Sequence, residues 1–165
     1  MKALFIDRAE IVAKSPLNGN IDPDNLMQYI ELAQDIHIQQ QLGTDLYNKL
    51  MQDILDDDLA GNYLDLVTNH VKPMLLHYAL VEYLHYAAFT ISSGGVFRHS
   101  PENAIVADKS DVDFLIEKER KVATFYTERY NAYMCSYGNL FPEYTTNSNG
   151  DMYPNRNSGT TPWVM

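Results

Sequence analysis

The chain has almost no cysteine. Cys135 is the single one in 165 residues, so no intramolecular disulfide can form. That usage reads as a protein made in a reducing cytosol. No helix N-terminus or base is evident beside Cys135, and it is expected to be a packed small residue. Long apolar runs are missing too. None approaches the ~18 residues of a membrane span, so no membrane partner is expected. The first residues include Asp7 and Glu10 and lack a long apolar stretch, which is not a signal-peptide pattern. Bases are scarce: 12 Lys and Arg stand against 22 Asp and Glu, a formal charge of −10. Such a surface repels phosphate and disfavours direct nucleic-acid binding. No Gly-x-Ser-x-Gly elbow occurs, and Gly94-Gly95 lacks the lysine and spacing of a phosphate loop.

What is present is acid in one region and helical periodicity in most others. Between residues 21 and 70 there are ten acids (Asp22, Asp24, Glu31, Asp35, Asp45, Asp53, Asp56, Asp57, Asp58, Asp65) and one base, Lys49. A solvated face is the plain reading. The sharper one is a face for a basic partner, or the wall of a passage through which DNA slides, with Asp56, Asp57 and Asp58 facing the channel.

Residues 1–21 alternate weakly and are expected to form an extended N-terminal arm. Asp22-Pro23 starts a helix that Gly43 ends. Thr44 starts a second, and Asp56-Asp57-Asp58 near its C-terminus helps to stop it. A third runs from about Leu59 to Thr68. A fourth is capped by Asn69, unless one continuous helix is kinked at Pro73. From Met74 to Ile91 the pattern is apolar nearly all round, so that helix is either central or partly covered by another subunit. Residues 96–109 read as a long loop. Ser110 caps a last helix that carries Val112, Leu115, Ile116, Val122, Ala123, Tyr126, Tyr130, Tyr133 and Met134 and ends at Gly138 and Pro142. The fold class is all-α: a compact bundle of about five helices over 22–144, with a flexible C-terminal arm over 145–165. The arm is polar and dotted with aromatics. It is expected to order on a partner, so that its deletion would leave stability nearly unchanged.

Sites of chemistry are hard to find. Glu82 and His85 have the i, i+3 spacing of bundle metal sites, but no second Glu-x-x-His occurs to complete a ligand set. His70, His77, His85 and His99 share no i, i+4 spacing. The twelve tyrosines lack the basic groove of a stacking site and suit a core or an interface. No catalytic residue, cofactor or metal is expected.

Four ordered pieces carry a resemblance. They are Ile30-Glu31-Leu32-Ala33-Gln34-Asp35 with Ile38-Gln39-Gln40-Gln41-Leu42-Gly43-Thr44-Asp45-Leu46-Tyr47, then Val71-Lys72-Pro73-Met74-Leu75, Gly94-Gly95-Val96-Phe97, and Asn139-Leu140-Phe141-Pro142-Glu143-Tyr144. Over roughly 22–144 the chain resembles small head–tail connector proteins of tailed bacteriophages, most closely the ring or adaptor proteins of crAss-like phages. The resemblance implies a non-enzymatic virion protein, made in the host cytoplasm. It would form a ring, usually of twelve copies, beneath the portal protein, extend the DNA channel and offer an attachment surface to tail or further neck proteins. DNA would pass without sequence-specific binding. Expected contact anchors are Phe97, His99, Phe141, Tyr144, Tyr153 and Trp163. Competing readings are a small cytosolic helical protein-binding module and a metal-dependent helical-bundle enzyme.

Overall fold

The computed structural model describes residues 2–15, 17, 23–87, 89–92, 95–98, 109–148 and 150–156. Its helices are α1 (Arg8–Lys14), α2 (Pro23–Ala33), α3 (Gln39–Leu42), α4 (Thr44–Leu55), α5 (Gly61–Leu66), α6 (Lys72–Tyr86) and α7 (Lys109–Tyr137). π-helical turns at Gln34–Ile38 and Val67–Val71 join α2 to α3 and α5 to α6. The described residues therefore form five continuous helical stretches, and the helical class is as expected. One small element was not foreseen. β1 (Phe89–Ser92) pairs antiparallel with β2 (Gly95–Arg98), Phe89 opposite Arg98 and Ser92 opposite Gly95. So α6 stops at Tyr86 rather than reaching Ile91, and the expected loop begins with a strand. Phe89-Thr90-Ile91 and Val96-Phe97 are aromatic and β-branched, the residue types that favour strands.

The second π turn answers Pro73. The Lys72 N–H reaches back to the Val67 carbonyl, one residue further than in an α-helix. This widening makes room where proline has no N–H to give and its ring crowds the preceding turn. Asn69 therefore caps nothing; its amide donates to Asp65 Oδ1 at 2.6 Å inside a continuous helix. The first π turn places Gln34 wholly in the core. There its side chain serves the N-terminal segment as a strand edge would. Oε1 accepts from the Phe5 N–H (2.9 Å), while Nε2 donates to the Ala3 carbonyl (2.9 Å) and the Tyr47 hydroxyl (3.2 Å). Ala3, Phe5, Ile6 and Ile11 are buried. Asp7 caps α1 through the Glu10 N–H at 2.7 Å, and Lys72 of α6 reaches Glu10 at 2.7 Å. The start of the chain is thus part of the core and not an arm, because its apolar side chains find cover there.

Helix α6 is the central one and packs mainly on α7 and α2. Met74, Leu75, Leu76, Ala79, Leu80 and Val81 are buried. Polar residues on its sides are matched across the helix seams. His77 Nδ1 lies 2.7 Å from Glu119 of α7, Tyr78 bonds Thr127 at 3.1 Å, and Glu82 lies 2.9 Å from His37 in the first π turn. Most of this helix is covered by its own chain; only its last turn, at His85 and Tyr86, is exposed.

After α7 come two 3-10 turns, Gly138–Leu140 and Pro142–Thr145. The chain then returns as a strap over the α3–α4 corner. The Thr44 N–H donates to the Met152 carbonyl (3.0 Å), the Met152 N–H to Thr44 Oγ1 (3.2 Å), and the Asn155 N–H to the Gln40 carbonyl (2.7 Å). Gly43 gives α4 no side-chain cap, so the strap supplies partners that a helix N-terminus lacks. Residues 145–148 and 150–156 are therefore docked on their own subunit, against the expectation of an arm that waits for a partner; the rest of that arm, 157–165, lies outside the described residues. Gly43 is where the two meet. Its φ of 75° favours glycine, and a Cβ there would lie 2.6 Å from Pro154 Cδ and 2.9 Å from the Pro154 backbone nitrogen. Gly43→Ala is expected to cost about 2 kcal/mol in urea unfolding and to raise amide exchange at Met152 and Asn155.

Candidate assembly surfaces

Helix α7 has two unlike faces. Ile116, Ala123, Tyr130 and Met134 are buried against the body. On the opposite face, Phe114, Lys118, Lys121, Phe125 and Arg129 recur at steps of four, three, four and four residues, which keeps them in line at 3.6 residues per turn. All five are exposed, Phe114 at 69% and Phe125 at 59%. Among the described residues, Lys118, Lys121 and Arg129 form no ion pair. The sequence reading missed this stripe, although its spacing was legible. The apolar stripe that was expected is partly right: Ile116, Ala123, Tyr130 and Met134 are inside, while Leu115 is 46% exposed.

The second surface is the corner between α4 and α5. Asp56, Asp57 and Asp58 are exposed, as are Leu55 (50%) at the end of α4 and Leu64 (46%) in α5. Asp57 holds φ of 55°, the left-handed closure of a helix end that glycine adopts without strain. Its charge also opposes the negative end of the helix dipole. Gln52 donates to Asp56 Oδ2 at 2.8 Å, but none of the three aspartates forms an ion pair among the described residues. Asp57→Gly is expected to stabilise the isolated subunit by about 1 kcal/mol, measured by thermal or urea unfolding.

The other residues picked from the sequence do not form one surface. Phe97 lies on β2 opposite Thr90. His99 and Trp163 fall outside the described residues. Tyr153 is 62% exposed on the strap. Phe141 and Tyr144 are core residues rather than surface anchors. Phe141 packs edge-on against Tyr63 at 5.3 Å, and Tyr144 lies beneath the Arg156 guanidinium, 5.1 Å from its ring. The turns after α7 fold both rings back against the bundle. Cys135 is exposed, not packed; it lines an open groove of about 480 Å³ with Asn131, Asn139 and Arg156. Glu82 and His85 do not converge, since His85 Nδ1 lies 2.7 Å from its own helix's Val81 carbonyl. Among the described residues, no group of three or more His, Cys, Asp or Glu is placed to hold a metal, and no helix is long and apolar enough to cross a membrane.

Aromatic–histidine seams hold the helices in register. His37 stacks on Tyr78 at 4.0 Å and His70 on Tyr133 at 4.1 Å. Burial, then the Arg129 charge, pulls the His70 pKa down. Burial and the Glu143 hydrogen bond push the Tyr63 phenol up to about 12. At the strap, the Ser148 N–H (2.8 Å) and the Thr146 hydroxyl (2.6 Å) donate to Asp45 and hold its carboxyl below the usual range. A lowered folded pKa gives stability that is complete above the unfolded value of ~4 and is lost as pH falls through the folded one. The stability gap between wild type and Asp45→Asn is therefore expected to narrow as pH drops below ~4, as read by urea unfolding across that range.

Fold and surfaces together define a mainly helical protein that carries two exposed apolar faces of opposite charge. Residues 38–153 match DUF6712, a family of unknown function, and the chain belongs to that family. The match takes in the α3–α4 corner and the strap as far as Tyr153. No curated protein and no solved structure matches the chain.

Proposed function

We propose that this protein is a structural component of a phage particle, a subunit of the connector ring between portal and tail. The observation that carries the reading is the pair of exposed faces at Phe114–Phe125 and Leu55–Leu64. A ring subunit needs two different faces, because each copy meets the next through unlike surfaces. Large exposed apolar side chains in groups mark such contacts. The central helix is covered by its own chain, so the subunit can fold first and assemble afterwards. The net charge of −10 suits a body past which DNA moves without being held. The exposed strap residue Tyr153 and the paired strands β1 and β2 are the elements proposed to meet the portal or a further neck protein.

Cryo-electron microscopy of the neck of purified particles tests this directly. The expected result is a ring of this chain below the portal. Particles whose neck lacks the chain would end the proposal. The competing reading, a small helical binding module, predicts that mass photometry with and without the portal protein shows monomer or dimer only.

A further inference from the structure

We infer that the basic–aromatic stripe of α7 and the acidic–apolar corner between α4 and α5 are the two halves of one head-to-tail contact between copies of this chain. The inference rests on the ring reading above and names its contact. The stripe offers Phe114 and Phe125 with Lys118, Lys121 and Arg129. The corner offers Leu55 and Leu64 with Asp56, Asp57 and Asp58. Each set combines apolar anchors with charge of one sign, and the signs are opposite. Neither set finds ion-pair partners among the described residues, although several acidic groups elsewhere in the subunit do find partners. Asp35 pairs with Lys2, Asp53 with Lys49, Glu10 with Lys72, and Asp45 takes the strap hydroxyl and amide.

The local energetics of the corner point the same way. Asp57 occupies a left-handed position that glycine fits better, and three carboxylates gather at the unfavourable end of a helix dipole. Both features work against the lone subunit, and the crowding of carboxylates is offset when cations from α7 arrive. A symmetric contact of α7 with α7 is disfavoured, because Lys118, Lys121 and Arg129 would face their own copies. Unlike faces generate a ring or an open filament, not a two-fold dimer. The inference also reassigns Asp56, Asp57 and Asp58. Charge alone put them on the wall of a DNA channel; the complementary stripe puts them between subunits.

The test uses the full chain and two charge-reversed variants, Lys118→Glu/Lys121→Glu and Asp56→Lys/Asp58→Lys. All four positions are exposed, and circular dichroism with thermal melts checks that each variant keeps its fold. Sedimentation velocity is run from ~1 to ~100 µM, the range in which a weak specific contact becomes visible. Wild type is expected to grow beyond monomer with concentration. Each variant alone should weaken that association at least about tenfold, since like charges then face each other. An equimolar mixture of the two should restore association and growth, because the intact stripe meets the intact corner and the reversed stripe meets the reversed corner with the signs exchanged. A wild type that stays monomeric throughout, a variant that assembles like wild type, or a mixture that fails to pair would each overturn the inference. The outcome is separable from the ring proposal. Assembly as described with no copy in the particle neck removes the function and keeps the contact. A ring in the neck whose variants assemble undisturbed does the reverse.

Discussion

A chain ending after Tyr144 loses roughly 3 kcal/mol of folding stability, about 10 °C in melting temperature for a protein of this size, relative to one ending after Arg156. The loss comes from the strap. Truncation removes the partners of the Thr44 N–H and the Gln40 carbonyl, and the hydroxyl and amide donors to Asp45. It also takes Pro154 off Gly43 and the Arg156 guanidinium off Tyr144. A chain ending after Arg156 keeps all of these contacts. Thermal melts of the two truncations, with amide exchange at Thr44, settle the matter. Equal melting temperatures would mean that residues 145–156 add nothing to the subunit and are free to serve a partner, as composition alone indicated.

Gln34→Ala is expected to cost roughly 4 kcal/mol, the largest effect of any single substitution considered. Its amide satisfies the Phe5 N–H and the Ala3 carbonyl in a fully buried setting. Each orphaned buried group costs about 1–3 kcal/mol, and the lost side chain adds a cavity. Tyr47 is less affected, because its hydroxyl also donates to Asp35 at 2.9 Å. Gln34→Leu separates the two contributions. It refills the space and leaves the backbone groups unpaired, so it should recover only part of the loss. Urea unfolding of both variants measures the difference, and hydrogen exchange at Phe5 reports it locally. A leucine variant as stable as wild type would show that the amide contributes packing alone.

These two results concern the two places where reading by pattern failed. Residues 2–14 show weak alternation, and their burial depends on Gln34, which is about thirty residues away and looks like an ordinary polar helix position. The strap is rich in Asn, Ser and Thr, the composition of a free arm. It orders because one glycine without a Cβ lies opposite one proline, 111 residues later. The π turns were equally hidden. Pro73 announced a disturbance, but whether the helix would break or widen depended on the packing of α6 against α2 and α7. Of the candidate anchors, Phe141 and Tyr144 were misjudged for a related reason. Aromatic content marks residues that need cover, yet not whether the cover comes from the same chain. The stripe on α7 was in plain view as spacing, and only the exposure of Phe114 and Phe125 gave it meaning.

What the sequence determined by itself is local. Proline at the start of α2, glycine before Thr44 and the helical recurrence of apolar residues are short-range facts of backbone conformation and solvent avoidance, and they set the helices and the all-α class. The tertiary structure alone decided which ends of the chain are held and which aromatic side chains are left in water. Those outcomes turn on contacts between residues far apart in the chain. Their partners are fixed by three-dimensional packing, which no short window of sequence contains.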